Sequence, residues 1–514
     1  MQLRLNNYKW HESGNTRVCG YCFIDGHLLR EKQLCDYFAQ AQTERDLVLR
    51  LKAANGFFAV VIKTDKEVLI ATDRLRRFPL FYTDEGDISD DPYALPSSGK
   101  WDEQGKMFYE VSGAVLPGHT LLRDIHQLPA ASYAVYRSRV WTVQPYATYL
   151  CTRKDERAVT VDELDKVMTS VFERMRTSLQ GRQVIVPLTA GNDSRLILCL
   201  LRRMGVENVL CYTVVGADSH EWEGAHEAAQ RLGYPHIKID MQNSDVSELC
   251  TANPDDFERY YRFVGAFSNF CWLYDYVAIR YMEKQGLLSE TAVFVPGHSG
   301  DSIGGSHLDK AGVNERTSIR GLVRRMYYIS FEYRKDRRIW KWLTNYFETN
   351  RAIGYTSYSM YQNLIMQHRQ AYNIVNSTRV YDFCGYEVRM PLWDNDLYDL
   401  FSHLSYACLA ESRLYRDYCR FVMGLFELTA QEKSPRVSWI HTAWRAFAKS
   451  IIPKTFIRLL RKPADPVGEV RLSRPLGDEL SQFLGYPHTC TNSNELLVQW
   501  YLMKVYQYFH SRSF

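Results

Sequence analysis

The segment PLTAGNDSRL, residues 187–196, gathers the residue types that anion chemistry needs into one turn. Ala190 and Gly191 are small enough to let backbone N–H groups approach an oxyanion. Thr189, Asn192, Ser194 and Arg195 add polar donors, and Asp193 supplies a carboxylate that could hold magnesium against a pyrophosphate. A second turn, PGHSGDSIGG (296–305), repeats the pattern with Gly297, Ser299, Gly300 and a second carboxylate, Asp301. Its His298 is of the residue type whose unperturbed charge change falls near neutral pH, which suits a base or a contact to an anion. Blander readings stand beside these: Asn192, Asp193 and Ser194 as helix caps, and His298 as a loop histidine bonded to backbone. The Gly-Lys-Ser/Thr ending of kinase and GTPase loops is absent, so hydrolysis at a γ-phosphate is not indicated.

Such turns work only if the flanking elements hold them. QVIVPL (183–188) reads as a buried strand and SRLILCLLRRMG as a helix; strand VLCYTVV, helix HEWEGAHEAAQRLG and strand HIKID follow. Strands alternating with helices predict a parallel sheet covered on both faces, with ligands at its carboxyl edge. Beyond about 305 the apolar spacing is helical. From 15 to 145 the pattern is short β-runs (VCGYCFI, GFFAVVI, EVLIATD, TLL, SYAVYR) between turn residues, which predicts an antiparallel two-layer domain. The polar stretch CTRKDERAV (151–159) and a capping box at Thr160 and Glu163 mark the join, giving domains 1–150 and 151–514.

The first turn resembles the SGGxDS loop of ATP pyrophosphatases, and three further segments resemble the asparagine synthetase family in the same order. YTVVGADSHEWEGAHEAAQRLG (212–233) is similar to the stretch flanking the adenosine, which implies that Thr213 and Val214 line it. PGHSGDSIGG is similar to the second glycine-rich loop, and GYEVRMPLWD (385–394) resembles the E-x-R-x-P-F-L-D signature through Glu387, Arg389, Pro391 and Asp394. The resemblance implies ATP and Mg²⁺ as cofactors, with Asp193 and Asp301 as metal ligands. Thr189, Ala190, Gly191, Asn192, Ser194, Arg195, Gly297, Ser299 and Gly300 would bind ATP and pyrophosphate. Glu387, Arg389 and Asp394 would shape the pocket, although an ion pair beneath the site is an equal reading of the first two. Lys433, in LTAQEKSPR, stands where the family places a lysine acting on the phosphates, and it reads equally as a surface residue. The implied reaction is AMP-forming: a carboxylate is adenylated and its acyl group passes to nitrogen.

Residues 55–60 (NGFFAV) and 69–82 (LIATDRLRRFPLFY) resemble strands of class II glutamine amidotransferase domains, an Ntn-like fold. The glutaminase of that domain needs a cysteine at position 2, and here position 2 is Gln. The expected fold class is therefore mixed α/β and α+β: an inactive, shortened Ntn-like domain, then a PP-loop domain with a helical lobe. The nitrogen donor stays open between free ammonia, a separate glutaminase and a substrate amine. In the second loop His298 replaces the family's glutamate and Ser302 its final acid, which puts aspartate in doubt as substrate. The loop and signature together resemble asparagine synthetase-like proteins of surface-polysaccharide biosynthesis. A non-catalytic nucleotide-binding scaffold is the alternative, and RNA thiolation or lysidine formation a more remote one.

Bulk composition agrees with an enzyme acting on small molecules. A net charge of +4 over 514 residues gives no electrostatic case for a nucleic-acid partner. No signal peptide or apolar span is visible, so a cytoplasmic location is expected. Trp444 to Lys462 interleaves apolar and basic residues and could contact a membrane surface or partner. The 12 cysteines are irregularly spaced, as reduced core thiols are; Cys19 and Cys22 form a lone CxxC.

Overall fold

The computed structural model describes residues 1–41, 43–216, 221–241, 253–331, 336–430 and 493–510. Its first part is built on the strand β5 (Asn55–Lys63), whose apolar run buries both faces. Phe58, Val60 and Ile62 enter one core, and Ala59 and Val61 enter another, because successive side chains alternate. β5 lies in an antiparallel sheet ordered β11 (Val140–Pro145), β10 (Ser132–Arg137), β6 (Val68–Thr72), β5, β3 (Thr16–Ile24), β2 (His11–Ser13), with β4 (His27–Arg30) also on β3. Helices α1 (Glu31–Ala39) and α2 (Glu44–Ala53) cover one face through Leu34, Phe38, Leu47 and Leu51. The other face meets a small sheet of β1 (Leu3–Arg4), β8 (Ile88–Ser89), β7 (Phe81–Tyr82) and β9 (His126–Gln127).

Sequence patterning missed α1, α2 and α3 (Glu103–Ser112), and it put a strand at TLL. There the chain makes only an isolated bridge, Trp101 to Leu122. The Thr120 hydroxyl takes over the local bonding, accepting from the Leu122 N–H and donating to the Ile125 carbonyl, so no ladder forms. Gly20 lies at φ 93°, and a Cβ there would fall 2.1 Å from the Phe57 carbonyl, so close strand approach requires glycine.

The expected capping box is present: Thr160 and Glu163 bond reciprocally at the start of α4 (Val161–Leu179). β12 (Val184–Pro187), α5 (Asn192–Arg203), β13 (Val209–Val215), α6 (Glu221–Leu232) and β14 (His236–Asp240) follow with near-predicted bounds. The sheet is wholly parallel, ordered β14-β13-β12-β15-β16, with β15 at Val293–Phe294 and β16 at Glu387–Val388. The E-x-R signature thus begins as the last strand, which its mixed composition concealed. Successive strands first run to one side of β12 and then to the other, so the loops after β12 and β15 face each other at the switch point.

Residues 306–424 are mostly helical and share one continuous core with the sheet and with α3. The last described helix, Ser493–His510, returns to the first part: Tyr501 and Tyr93 hydroxyls lie 3.2 Å apart. Among the described residues no helix is long and apolar enough to cross a membrane.

Candidate active site

The two glycine-rich turns meet at that switch point. α5 begins on Gly191 with no side-chain cap, so the capping reading of Asn192, Asp193 and Ser194 does not describe this helix. Ser194 instead braces the turn: its hydroxyl accepts from the Thr189 N–H at 3.0 Å and lies 3.1 Å from the Thr189 hydroxyl. The Gly191 N–H donates to Thr189 Oγ1 at 3.2 Å. Gly297 packs flat on this helix start, where a Cβ would sit 2.8 Å from the Ser194 nitrogen. Ser299, buried, starts the short helix Gly300–Ile303.

Asp193 reaches across to the second turn, its Oδ2 accepting the Asp301 N–H at 3.0 Å and its Oδ1 the Tyr415 hydroxyl at 2.8 Å. Gly300 is confined between them: an added Cβ would lie 1.8 Å from the Tyr415 oxygen and 3.0 Å from Asp193 Oδ1. Burial and the neighbouring Asp301 carboxylate raise Asp193 from 3.8 to about 7, against the donors from Asp301, Tyr415 and Gly300. Two adjacent carboxylates, one of them costly to ionise, invite a cation. Among the described residues no group of three or more metal-ligating side chains occurs. A two-carboxylate set suits Mg²⁺, which takes one or two protein ligands and completes its shell with phosphate oxygens and water.

Other expected residues fall less simply. Arg195 is buried and spent on structure: it donates to the Gly191 carbonyl, to Asn192 Oδ1 and, at 2.9 Å, to the Thr429 carbonyl. It therefore anchors the chain four residues before Lys433, which lies outside the described residues, as does 444–462. Thr213 is also buried, its hydroxyl donated to the Leu188 carbonyl at 2.6 Å; Val214 follows it in β13, half-buried. The Ala190 N–H donates to Glu221 Oε2 at 2.7 Å, so a side-chain carboxylate occupies one donor of the anion turn.

His298 stands beside Asp301 and Asp275; burial lowers its pKa while both acids oppose the shift. Asp275 is held by the Tyr212 hydroxyl at 3.2 Å. Neither Asp275, Tyr415 nor Glu221 was singled out from sequence. Tyr415 lies 222 residues from its partner in a helix whose pattern is ordinary, and only the fold joins them.

Glu387, Arg389 and Asp394 gather elsewhere, at the seam between the two parts. Glu387 pairs with Arg389 at 2.6 Å and Arg182 at 2.7 Å; burial opposes ionisation, but these cations and Arg30 hold it down at about 2. Asp394 accepts from Arg174 at 2.8 Å and from Asn55 at 2.9 Å. Arg389 and Asp394 line a small cleft with Tyr21, Asn55, Phe57 and Trp393. The ion-pair reading describes Glu387 and Arg389.

Cys19 sits mid-strand opposite Ala59, 1% exposed, and burial pushes its thiol well above the usual range. Such a thiol is neither at a chain end nor ionised, and it cannot act as an N-terminal nucleophile.

The sequence profile described as asparagine synthase matches residues 164–423. No curated protein matches the chain. Among solved structures, the NH3-dependent NAD synthetase of Campylobacter jejuni is 17% identical and covers 30% of this chain and 62% of its own, with a TM-score of 0.20. The glutamine phosphoribosylpyrophosphate amidotransferase of B. subtilis is 10% identical and covers 57% and 58%, with a TM-score of 0.18. The chain spans less than two thirds of either structure, and likenesses this weak carry no argument.

Proposed function

We propose, given that this chain belongs to the asparagine synthase family, that it is an ATP-dependent, AMP-forming ligase that joins a small carboxylate to ammonia or an amine. The observation that supports this most is the Asp193–Asp301 pair where two glycine-rich turns meet at the carboxyl edge of a parallel sheet. Asp193 and Asp301 would hold magnesium there; bound magnesium would offset the charge that develops on the leaving pyrophosphate.

The substrate carboxylate oxygen attacks the α-phosphorus of ATP, and the bond to pyrophosphate breaks. Nitrogen then attacks the acyl carbon, the bond to AMP breaks, and the amine proton leaves. His298, whose pKa burial lowers, would accept that proton. The start of α5 and the turn amides would orient the phosphates, and Lys433 would add a cation, as the family resemblance implies.

The division of labour follows the domains: residues 1–150 as an inactive, shortened amidotransferase-like part, and 151–514 as the ligase. Nitrogen comes from ammonia, a separate glutaminase or the substrate. The substrate we favour is a sugar acid of surface-polysaccharide biosynthesis, handled in the cytoplasm, because the second loop and the signature resemble asparagine synthetase-like proteins of that kind, while His298 in place of the family's glutamate speaks against aspartate. One observation favours the alternative of a non-catalytic nucleotide-binding scaffold: Glu221 already occupies the Ala190 N–H.

The test is incubation with MgATP, ammonium and a panel of amino and uronic acids, followed by phosphorus NMR, with Asp193→Ala as control. AMP and pyrophosphate that require one carboxylate and an intact Asp193 support the ligase. ADP and phosphate would overturn adenylation, and ATP binding without turnover on any panel member would favour the scaffold.

A further inference from the structure

Arg76 carries two uncompensated costs. Its backbone is left-handed, at φ 47°, a region that side chains other than glycine adopt at a penalty. Its guanidinium is 1% exposed, and burial, reinforced by Arg379, lowers its pKa to about 10. Nη2 donates to Gln127 Oε1 at 2.8 Å, and the plane lies 4.3 Å over the Tyr372 ring. Nε and Nη1 have no hydrogen-bond partner, and no carboxylate among the described residues pairs with the cation.

Nearby acids, Asp73 among them, offset part of this charge at a distance, yet none among the described residues hydrogen-bonds to Arg76. Arg379, fully buried, spends Nε on the Tyr8 hydroxyl at 2.6 Å and leaves Nη2 without a partner. Arg77 takes Asp382, 2.5 Å away. Other nearby acids are bonded elsewhere: Asp73 accepts the N–H groups of Phe58, Leu75 and Arg77, Asp90 those of Asn6, Asn7, Tyr8 and the Trp10 indole, and Asp91 that of Tyr93. Of the three buried guanidiniums, only Arg77 has a carboxylate within ion-pair distance among the described residues. Buried cations and orphaned donors are both unfavourable.

We propose that a small monovalent anion of the halide class binds at the Nε–Nη1 edge of Arg76, in the seam between the two parts, with Arg379 supplying a second positive charge. Full burial favours a small, singly charged ion over phosphate, whose dehydration is far costlier. Because Arg76 belongs to the first part and Tyr372 and Arg379 to the second, the anion ties the two together, and its occupancy adds to the stability of the fold.

The test is thermal unfolding of the full chain in sodium gluconate, titrated with sodium bromide at constant ionic strength. The expected result is a saturable rise of a few degrees in the wild type and none in Arg76→Met. Sodium phosphate at the same ionic strength should give no saturable rise. If Arg76→Met fails to fold, wild-type crystals grown in bromide provide the reading, through an anomalous peak beside Arg76 Nε. A melting point indifferent to bromide, an equal rise in Arg76→Met, a saturable response to phosphate alone, or water at that position would each overturn the assignment.

Discussion

The antiparallel sheet and the parallel sheet each carry an aspartate raised from 3.8 to about 7, and they reach that value by different routes. Asp73 is fully buried and accepts three backbone N–H groups, which pin the turn after β6; burial alone raises it. Asp193 is only half-buried and faces a second carboxylate. Asp73 is thus satisfied by its own chain, whereas Asp193 is set against a like charge and waits for a cation. A retained motif signals chemistry only where its polar groups remain unspent, and in the first part Asn55, Asp73 and Cys19 are all committed to packing.

The largest effect expected on this contrast is on turnover. Asp193→Ala or Asp301→Ala should lower AMP formation by about 10²–10³-fold, as losing one group that stabilises developing charge does, with a smaller loss of stability than at Asp73. Asp73→Ala should do the reverse: with three buried N–H groups orphaned, stability falls by about 3 kcal/mol or more in denaturant titration. Equal loss of activity in both variants at full folding would break the distinction.

The pH dependence sharpens it. Each aspartate has a folded-state value above its unfolded 3.8, so each favours the fold while protonated; that contribution is complete below about 4 and is lost as pH rises through 7. Magnesium should restore the melting temperature at pH 8 in the wild type, because the metal replaces the proton between Asp193 and Asp301. Asp193→Asn should abolish that rescue, and no rescue should arise from the Asp73 side. Tyr415→Phe removes a donor to ionised Asp193, so the pH midpoint of magnesium binding should move upward, weakening it a few-fold at pH 7 by calorimetry. The smallest effect is expected at Cys19: Cys19→Ala should leave ammonia-dependent turnover unchanged, and iodoacetamide should spare the thiol in folded protein.

Much of the second part was legible because its signals are local. Alternating apolar runs marked β12, β13 and β14 within one residue, and the Thr160 and Glu163 pair marked the start of α4. In the first part α1 and α2 went unread, since nine- and ten-residue helices leave a weak period beside the stronger alternation of strands. The brief β16 was hidden because two residues carry no period at all.

By itself the sequence determined which residues could bind a phosphate and a cation, since that rests on residue type and on a strand turning into a helix. It also ruled out a cysteine at position 2. Only the tertiary structure decided which of those groups are available. It turned Arg195 and Thr213 inward, sent Glu387, Arg389 and Asp394 to the seam, and brought Tyr415 and Asp301 to Asp193 across 222 and 108 residues. The physical reason is that a hydrogen bond or a like-charge contact depends on distance in space, and strand order sets that distance without leaving a trace in sequence spacing.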